Sequence, residues 1–434
     1  MVISILSIGR GLLGLLTLLG IAYLFSANRR RINWRLIGVG FLVEFMLAFL
    51  LSEVPFLRQA IEWIGKVFVK LLSFSSEGVT FLLGPYGDKA NGYSFLFHGL
   101  SAIIFFSALV SLLYHLGVIQ FVVRGISKVL RKLFNVSGPE GTVLVGNVFL
   151  GMTEVTILVD KYIPKMNKSE IFMLMVVGMG TISGTVMGIY ILMVGGDDAV
   201  LRLETSRYLI SGSLLAIPGS VILAKMVHPQ TEVVTSDLIQ IPRKSNPDST
   251  LIDAITEGAI RGVKLIAVVG AIMIAFIALI ALFNFILKDG VGQLLGINDW
   301  IVSSTQGKAE GLTFQYIVGL LFSPIMWLIG VPSSDSLLVG SLLGIKTITN
   351  EFIAFQQLHD WTTLSLFTTM KGRVMSIYML ANFANVGSIG ILVGVLGVLA
   401  PEKKALYAHL AVEALLVATL VSLLTATIEG MFIV

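Results

Sequence analysis

No cysteine occurs among the 434 residues. Disulfide staples, thiolate nucleophiles and cysteine-ligated metals are therefore excluded, although the compartment stays open. Charge is scarce too: 13% of residues are Asp, Glu, Lys or Arg, against about 25% in a soluble domain. A chain of this composition cannot clothe a fold of this size in a charged, solvated surface. Motifs for common membrane chemistries are missing as well. There is no HExxH, nucleophile elbow, Walker A or usefully placed dinucleotide fingerprint, so ATP-driven transport and familiar membrane hydrolysis have no support. The net charge of +4 does not mark a nucleic-acid binder, because the basic residues cluster in loops beside apolar runs, where they set membrane orientation. A secretory leader is not convincing either. The cluster Arg29, Arg30, Arg31 and Arg35 follows the first apolar run, and no small-residue cleavage pattern precedes it. That cluster is expected to be cytoplasmic, with residue 1 outside.

What the chain has is apolar length: 56% of its residues are hydrophobic. A spanning helix needs about 20 mostly apolar residues, and the candidates are 4–25, 36–53, 97–116, 170–194, 206–227, 262–287, 374–399 and 406–427. The expected fold is an all-α polytopic membrane protein with about eight spans and both ends external. Residues 55–74 and 118–134 alternate basic and apolar side chains at helical spacing and read as amphipathic helices lying in the interface. The stretch 229–258, with Pro229, Pro242 and Pro247, reads as a linker. His98 and His115 fall in or beside a span, and packing suits them better than a proton relay.

Two apolar segments make poor spans. Residues 139–165 are broken by Gly146 and Gly151 and carry Glu154; residues 314–358 are broken by Pro324, 330–336 and Gly344 and carry Glu351. Unwound backbone at membrane depth persists only where protein or a watery cavity satisfies it, so both read as re-entrant hairpins. Each is followed by a helix interrupted by small polar residues: Gly178 to Val186 in the first case, Asn382 to Gly390 in the second. Paired interrupted segments in corresponding halves point to the midplane site of a secondary transporter built on an inverted repeat.

A carboxylate at membrane depth is costly unless it serves a cavity or a partner. Glu154, Glu351, Asn385 and Ser388 together could hold an uncharged, polyhydroxylated solute, with Phe383 as a flat apolar face. Alternatively, each glutamate is paired with a cation or helix end inside the bundle. The small residues of 178–188 also fit close helix packing and nothing more. Asn147, an amide in an apolar run, needs a partner, which an ion or a helix end would supply.

The chain resembles the concentrative nucleoside transporter family from about residue 30 to 428. The motifs are Ile103-Ile104-Phe105-Phe106-Ser107-Ala108-Leu109, Gly151-Met152-Thr153-Glu154, Gly330-Val331-Pro332, Asn350-Glu351-Phe352-Ile353-Ala354-Phe355 and 382–390. The resemblance implies cation-driven nucleoside uptake by an elevator-like movement in a homotrimer. It divides the chain into scaffold (1–134 and 262–313), a first transport repeat (135–228), a polar linker (229–261) and a second transport repeat (314–434). Met152, Thr153, Glu154 and Val186 would face the nucleobase. Asn350, Glu351, Asn385 and Ser388 would hold the ribose, and Phe383 would line the pocket. Asn147, Leu150, Thr181 and Ile182 would bind sodium, the two apolar residues through backbone carbonyls. Oxygen ligands suit such a hard cation; protons are the other candidate coupling ion, and no further cofactor is implied.

One position departs from the family pattern. Gly-Gln-Thr-Glu is usual, and here Met152 replaces the glutamine. A thioether donates no hydrogen bond but offers polarisable contact, which favours purine over pyrimidine nucleosides. Two other functions stay open at this point: a nucleoside sensor that no longer transports, and a membrane hydrolase using the two glutamates as acid and base.

Overall fold

The computed structural model describes residues 5–87, 94–232 and 250–433. Among these no strand occurs, and eight helices are long and apolar enough to cross a membrane. The first helices are α1 (Ile5–Leu24), α2 (Trp34–Glu53) and α3 (Pro55–Leu83). Helix α3 is longer than the 55–74 expected and would reach across a bilayer by length, but its contacts argue that it lies flat. Gly65 abuts Ser206 and Leu203, and the stretch Leu72–Thr80 shares a cleft with His98 and Leu192. Its buried positions Ile61, Gly65, Leu72 and Ser75 fall on one face, as an amphipathic helix requires.

Helix α4 (Ala102–His115) continues a π-helical turn, and α5 (Val118–Phe134) follows it. On α5 the residues Ile119, Val123, Ser127 and Phe134 are buried while Arg124, Lys128 and Lys132 are exposed. Next come α6 (Gly138–Leu150), α7 (Met152–Leu158), α8 (Lys168–Gly180), α9 (Gly184–Gly195) and α10 (Ala199–Val227). Sequence chemistry sets these starts. Ser137 with Glu140 caps α6, and Asn167 with Glu170 caps α8, each reciprocally.

The linker expected over 229–258 is shorter than that. Its residues 233–249 lie outside the described residues, and α11 (Leu251–Asn284) already begins at Leu251. A capping box of Thr250 and Asp253 starts the helix there, so charged side chains at 253, 257 and 261 sit on a helix, not in a linker. A short α12 (Asn298–Ser304) precedes α13 (Phe314–Leu328), α14 (Ser336–Ile348) and α15 (Glu351–Thr363). The chain ends with α16 (Met370–Leu380), α17 (Val386–Leu399) and α18 (Lys404–Phe432).

The expected second hairpin over 314–358 is therefore redrawn. Gly330 (φ 103°) and the turn before Asp335 end α13 as a separate helix packed along α14. The counterpart of the α6–α7 hairpin is α14–α15, folded at Thr349 and Asn350. The expected spans 170–194 and 374–399 are each two helices, α8 with α9 and α16 with α17, parted at Thr181–Ser183 and Ala381–Asn385. Two successions thus correspond: α6 to α10 and α14 to α18.

Burial sorts the helices. The window Ala199–Val227 is 94% buried and Lys168–Gly195 89%, whereas Leu251–Gly292 is only 11% buried. Helices α8, α10 and α18 form the centre, α1 packs on α18, and α2 packs on α10. Helix α11 instead pairs with α4, with most of its surface left to lipid or a partner. Gly258 and Gly262 let the two backbones touch: a Cβ on either would stand 2.7 Å from α4 main-chain atoms. Val227 accepts a hydrogen bond from Ala27 beside the arginine cluster, so that end of α10 is cytoplasmic by the positive-inside rule.

Candidate functional site

Both hairpin tips dock on broken helices. Gly151 sits between α6 and α7 at φ 97°, and a Cβ there would stand 3.2 Å from the Ser183 Cβ. Only glycine takes that backbone without strain. Helix α8 ends at Gly180 with carbonyls that have no intrahelical partner. The Asn147 amide answers them, donating to Val177 O at 2.7 Å, and to Thr181 Oγ1 at 2.6 Å. Asn147, Thr181 and Ile182 are fully buried, and Leu150 is nearly so. The Asn147 Oδ1 has no hydrogen-bond partner. A buried, unanswered acceptor beside a helix C-terminus, where partial negative charge accumulates, fits a hard cation.

At the other tip, Asn350 caps α15 through its side chain, accepting from Ile353 N at 3.0 Å. Glu351 opens that helix, where the dipole favours an anion. Its two oxygens accept from Tyr190 Oη at 3.0 Å and Asn385 Nδ2 at 2.8 Å. Asn385 does two jobs, since its Oδ1 also accepts from Ser388 N at 2.9 Å and caps α17. Tyr190 is held by Phe355, whose ring stacks at 4.5 Å, and by Phe352 at 5.1 Å. The break before α17 is tied to α18 by Asn382, which donates to Ala418 O at 2.9 Å.

A cavity of about 300 Å³ opens between the first hairpin and the α4–α11 pair. Leu150, Glu154, Ile157 and Thr185 form one wall; Ser107, Ser111, Tyr114 and His115 of α4, with Glu257 and Arg261 of α11, form the other. That size suits a small organic ligand. The second wall belongs to the last turns of α4 and the first turns of α11. Since α4 begins beside Leu192, at the end of the bundle away from Val227, this mouth is on the cytoplasmic side.

Of the residues singled out from sequence, Glu154 and Leu150 line the cavity. Thr153 donates to Glu154 Oε2 at 2.7 Å. Met152 is half-buried and packs toward Gly178, and Val186 is buried one residue beyond Thr185. Glu351, Asn385, Ser388 and Asn350 form a second, buried group, with Phe383 half-buried between Asn382 and Ala384. Helix α9 joins the two groups, carrying Thr185 at the cavity and Tyr190 at Glu351, about 7.5 Å apart along its axis. Sequence reasoning missed Tyr190 and the whole α4–α11 wall. A phenol in an apolar helix was a usable signal, because its hydroxyl needs a partner when buried. His115 half-lines the cavity instead of packing inside, whereas His98 is buried against Ser94.

Duplicated hairpins, carboxylates at broken helix ends and a two-walled cavity define a secondary transporter of the cell membrane, multi-pass and not an enzyme. The comparisons with known proteins give the family. Residues 208–430 match the Na+ dependent nucleoside transporter C-terminus, 13–86 its N-terminus, and 98–197 the nucleoside recognition family. Nucleoside permease NupC of Helicobacter pylori is 33% identical, covering 97% of this chain and 96% of its own. Sodium/nucleoside cotransporter 1 of Oryctolagus cuniculus is 31% identical over 95% of this chain and 61% of its own. A solved structure of CNTnw in an inward-facing, substrate-bound state superposes with a TM-score of 0.87 at 33% identity, covering 98% of this chain and 99% of that one. The chain belongs to the concentrative nucleoside transporter family.

Proposed function

We propose that the chain imports nucleosides, purine nucleosides preferentially, together with sodium, by alternating access with an elevator-like motion of the hairpin-bearing part in a homotrimer. The observation that carries this reading is the Asn147 side chain: its amide secures the broken α8 end while its buried oxygen is left for an ion. Protons, the other candidate coupling ion, would not need that preserved oxygen set. In this reading Asn147, Leu150, Thr181 and Ile182 hold sodium. Met152, Thr153, Glu154 and Val186 meet the base. Asn350, Glu351, Asn385 and Ser388 take the ribose hydroxyls, with Tyr190 and Asn385 keeping Glu351 in place through the acceptor sites it has to spare, and Phe383 lines the pocket.

The name of the rabbit relative, a sodium/nucleoside cotransporter, supports the coupling. The relative CNTnw has been solved in both inward-facing and outward-facing states, which supports alternating access. The residue sets 135–228 and 314–434 would move against α4 and α11. One monovalent cation falling through about 100 mV releases ~2.3 kcal/mol, which sustains roughly forty-fold accumulation at about 1.4 kcal/mol per tenfold. The test is uptake of labelled uridine, inosine and guanosine into proteoliposomes, with sodium and pH varied independently. Sodium-driven uptake with inosine or guanosine outcompeting uridine is expected. Uptake indifferent to sodium would refute the coupling; uridine winning would refute the base preference; binding without uptake would favour a sensor.

A further inference from the structure

Helix α2 is an apolar span with one carboxylate near its middle: Glu44 is the eleventh of its 20 residues. At about 1.5 Å per residue, each end is roughly 15 Å away, which is the centre of a hydrocarbon layer about 30 Å thick. Glu44 is fully buried, and neither carboxyl oxygen has a hydrogen-bond partner. Each of the other buried carboxylates among the described residues has at least one partner, although Glu429 Oε1 has none. Glu140 pairs with Lys225, Glu170 caps α8, and Asp335 meets Lys308. Glu351 has Tyr190 and Asn385, and Glu429 accepts from Ser52.

Glycine makes the room for Glu44. A Cβ on Gly219 of α10 would lie 3.2 Å from Glu44 Oε1 and 3.5 Å from Val421 of α18. Val421 also lies 3.8 Å from the Cβ position of Gly180, the last residue of α8, and Ser220 Oγ lies 3.1 Å from it. That hydroxyl is also buried without a partner. The carboxyl thus stands one side chain from a broken helix end, yet nothing charged reaches it. On α10, Lys225 is engaged by Glu140, and Arg207 is twelve residues from Gly219, about 18 Å along the axis. On α18, Glu413 and Glu429 are each eight residues from Val421, about 12 Å. On α3, Arg58, Lys66, Lys70 and Glu77 are exposed and Glu62 pairs with Lys66; on α5, Arg124, Lys128 and Lys132 are exposed and Arg131 is half-buried.

A bare carboxylate in such surroundings is costly, and a proton removes the cost without needing space for an ion and its ligands. We propose that Glu44 is a proton-binding site at the bilayer midplane, loaded in the conformation described here and emptied when movement of α10 or α18 admits water. On loading, an O–H bond forms on the carboxylate with a proton taken from water; on release, the same bond breaks and the proton returns to water. This adds a proton step to sodium-driven uptake, and it rests on the transport reading above.

Uptake by wild type, Glu44→Gln and Glu44→Asp in proteoliposomes, at constant sodium and varied pH, tests it. Wild-type rates should change severalfold with pH, Glu44→Gln should flatten that profile while keeping sodium-driven uptake, and Glu44→Asp should displace it. A Glu44→Gln profile that titrates like wild type overturns the proposal. A second readout does not depend on folding of the variants. Dicyclohexylcarbodiimide, which takes the proton of a carboxyl in apolar surroundings on its nitrogen and is then attacked at its central carbon by the carboxylate oxygen, should leave an adduct on Glu44 of the wild-type protein that diminishes at alkaline pH. No adduct at any pH overturns the proposal. An adduct on a protein that moves no nucleoside would uphold the proton site and refute the transport reading instead.

Discussion

Glu351 and Met152 occupy tips that mirror one another, and their neighbours assign them different work. Both Glu351 oxygens already accept hydrogen bonds, from Tyr190 and Asn385. These partners hold the carboxylate ready for hydroxyl donors, and hydrogen bonds to a charged group are worth about 1.5–3 kcal/mol each. Glu351→Gln is therefore expected to lower uptake of every nucleoside about tenfold to a hundredfold, because all share the ribose. Selective loss for one base, measured by counterflow, would contradict that role. Met152 offers no donor, and its side chain stands against Gly178. Met152→Gln restores a donor and an acceptor at that point, so the uridine-to-inosine ratio should rise while total sodium-driven uptake persists. An equal loss for all bases would argue that Met152 only packs. At this scale the sequence was informative where a polar residue had no apolar excuse, as at Glu154, Glu351 and Asn147. For Tyr190 the phenol in an apolar run signals that a partner is needed, but nothing in the sequence names Glu351 as that partner.

At the scale of elements, glycine makes the first hairpin readable, whereas the helix-opening caps play no part in the sequence reading and Thr250 falls inside the expected linker. Gly151 and the Asn350 cap mark the two tips, and Ser137, Asn167 and Thr250 open helices. The expected second hairpin starts too early in the chain because Pro324 and Gly330 are also breakers, and periodicity cannot tell a separate helix from a hairpin arm. What fixes α13 against α14 is a contact remote in sequence. Asp335, in the turn between them, accepts from Lys308 at 3.0 Å, from Thr368 N and Thr369 N at 2.9 Å each, and from Thr369 Oγ1 at 2.6 Å. Burial works to raise its carboxyl, but the Thr369, Thr368 and Lys308 interactions outweigh it and hold it below the ordinary 3.8. A carboxyl so lowered adds stability above its unfolded value and loses it as pH falls through the folded one. Wild-type detergent-solubilised protein should therefore lose thermal stability below about pH 4. Asp335→Ala should be weaker by about 3 kcal/mol at neutral pH and should show less of that acid loss. An unchanged melting temperature at neutral pH would mean the turn is held by other contacts.

For the whole molecule, composition alone announced a membrane bundle, and eight helices among the described residues are long and apolar enough to cross, as expected; by length these include α3, which lies flat, and omit 374–399, which is broken in two. A helix that lies flat along other helices, as α3 does, and a span broken at its middle, as α16 and α17 form, differ from continuous spans by a few small or charged residues. The α4–α11 wall was illegible for another reason: its cavity residues are scattered over two ordinary-looking spans and acquire meaning only opposite Glu154. The absence of cysteine turns this wall into an experiment. Ser111→Cys, the sole thiol, should react with an impermeant maleimide in inside-out vesicles but not in right-side-out ones, and bound nucleoside should slow the reaction. Equal labelling from both sides would place the mouth wrongly.

The cavity's two walls belong to groups of helices that, in the proposed cycle, slide past one another. A rigid compound that fills the roughly 300 Å³ space and grips Arg261 and Glu154 at once would act as a wedge, bound from the cytoplasm and never carried. Inhibitors of that kind would owe their selectivity to α4 and α11, the surfaces that substrate recognition constrains least.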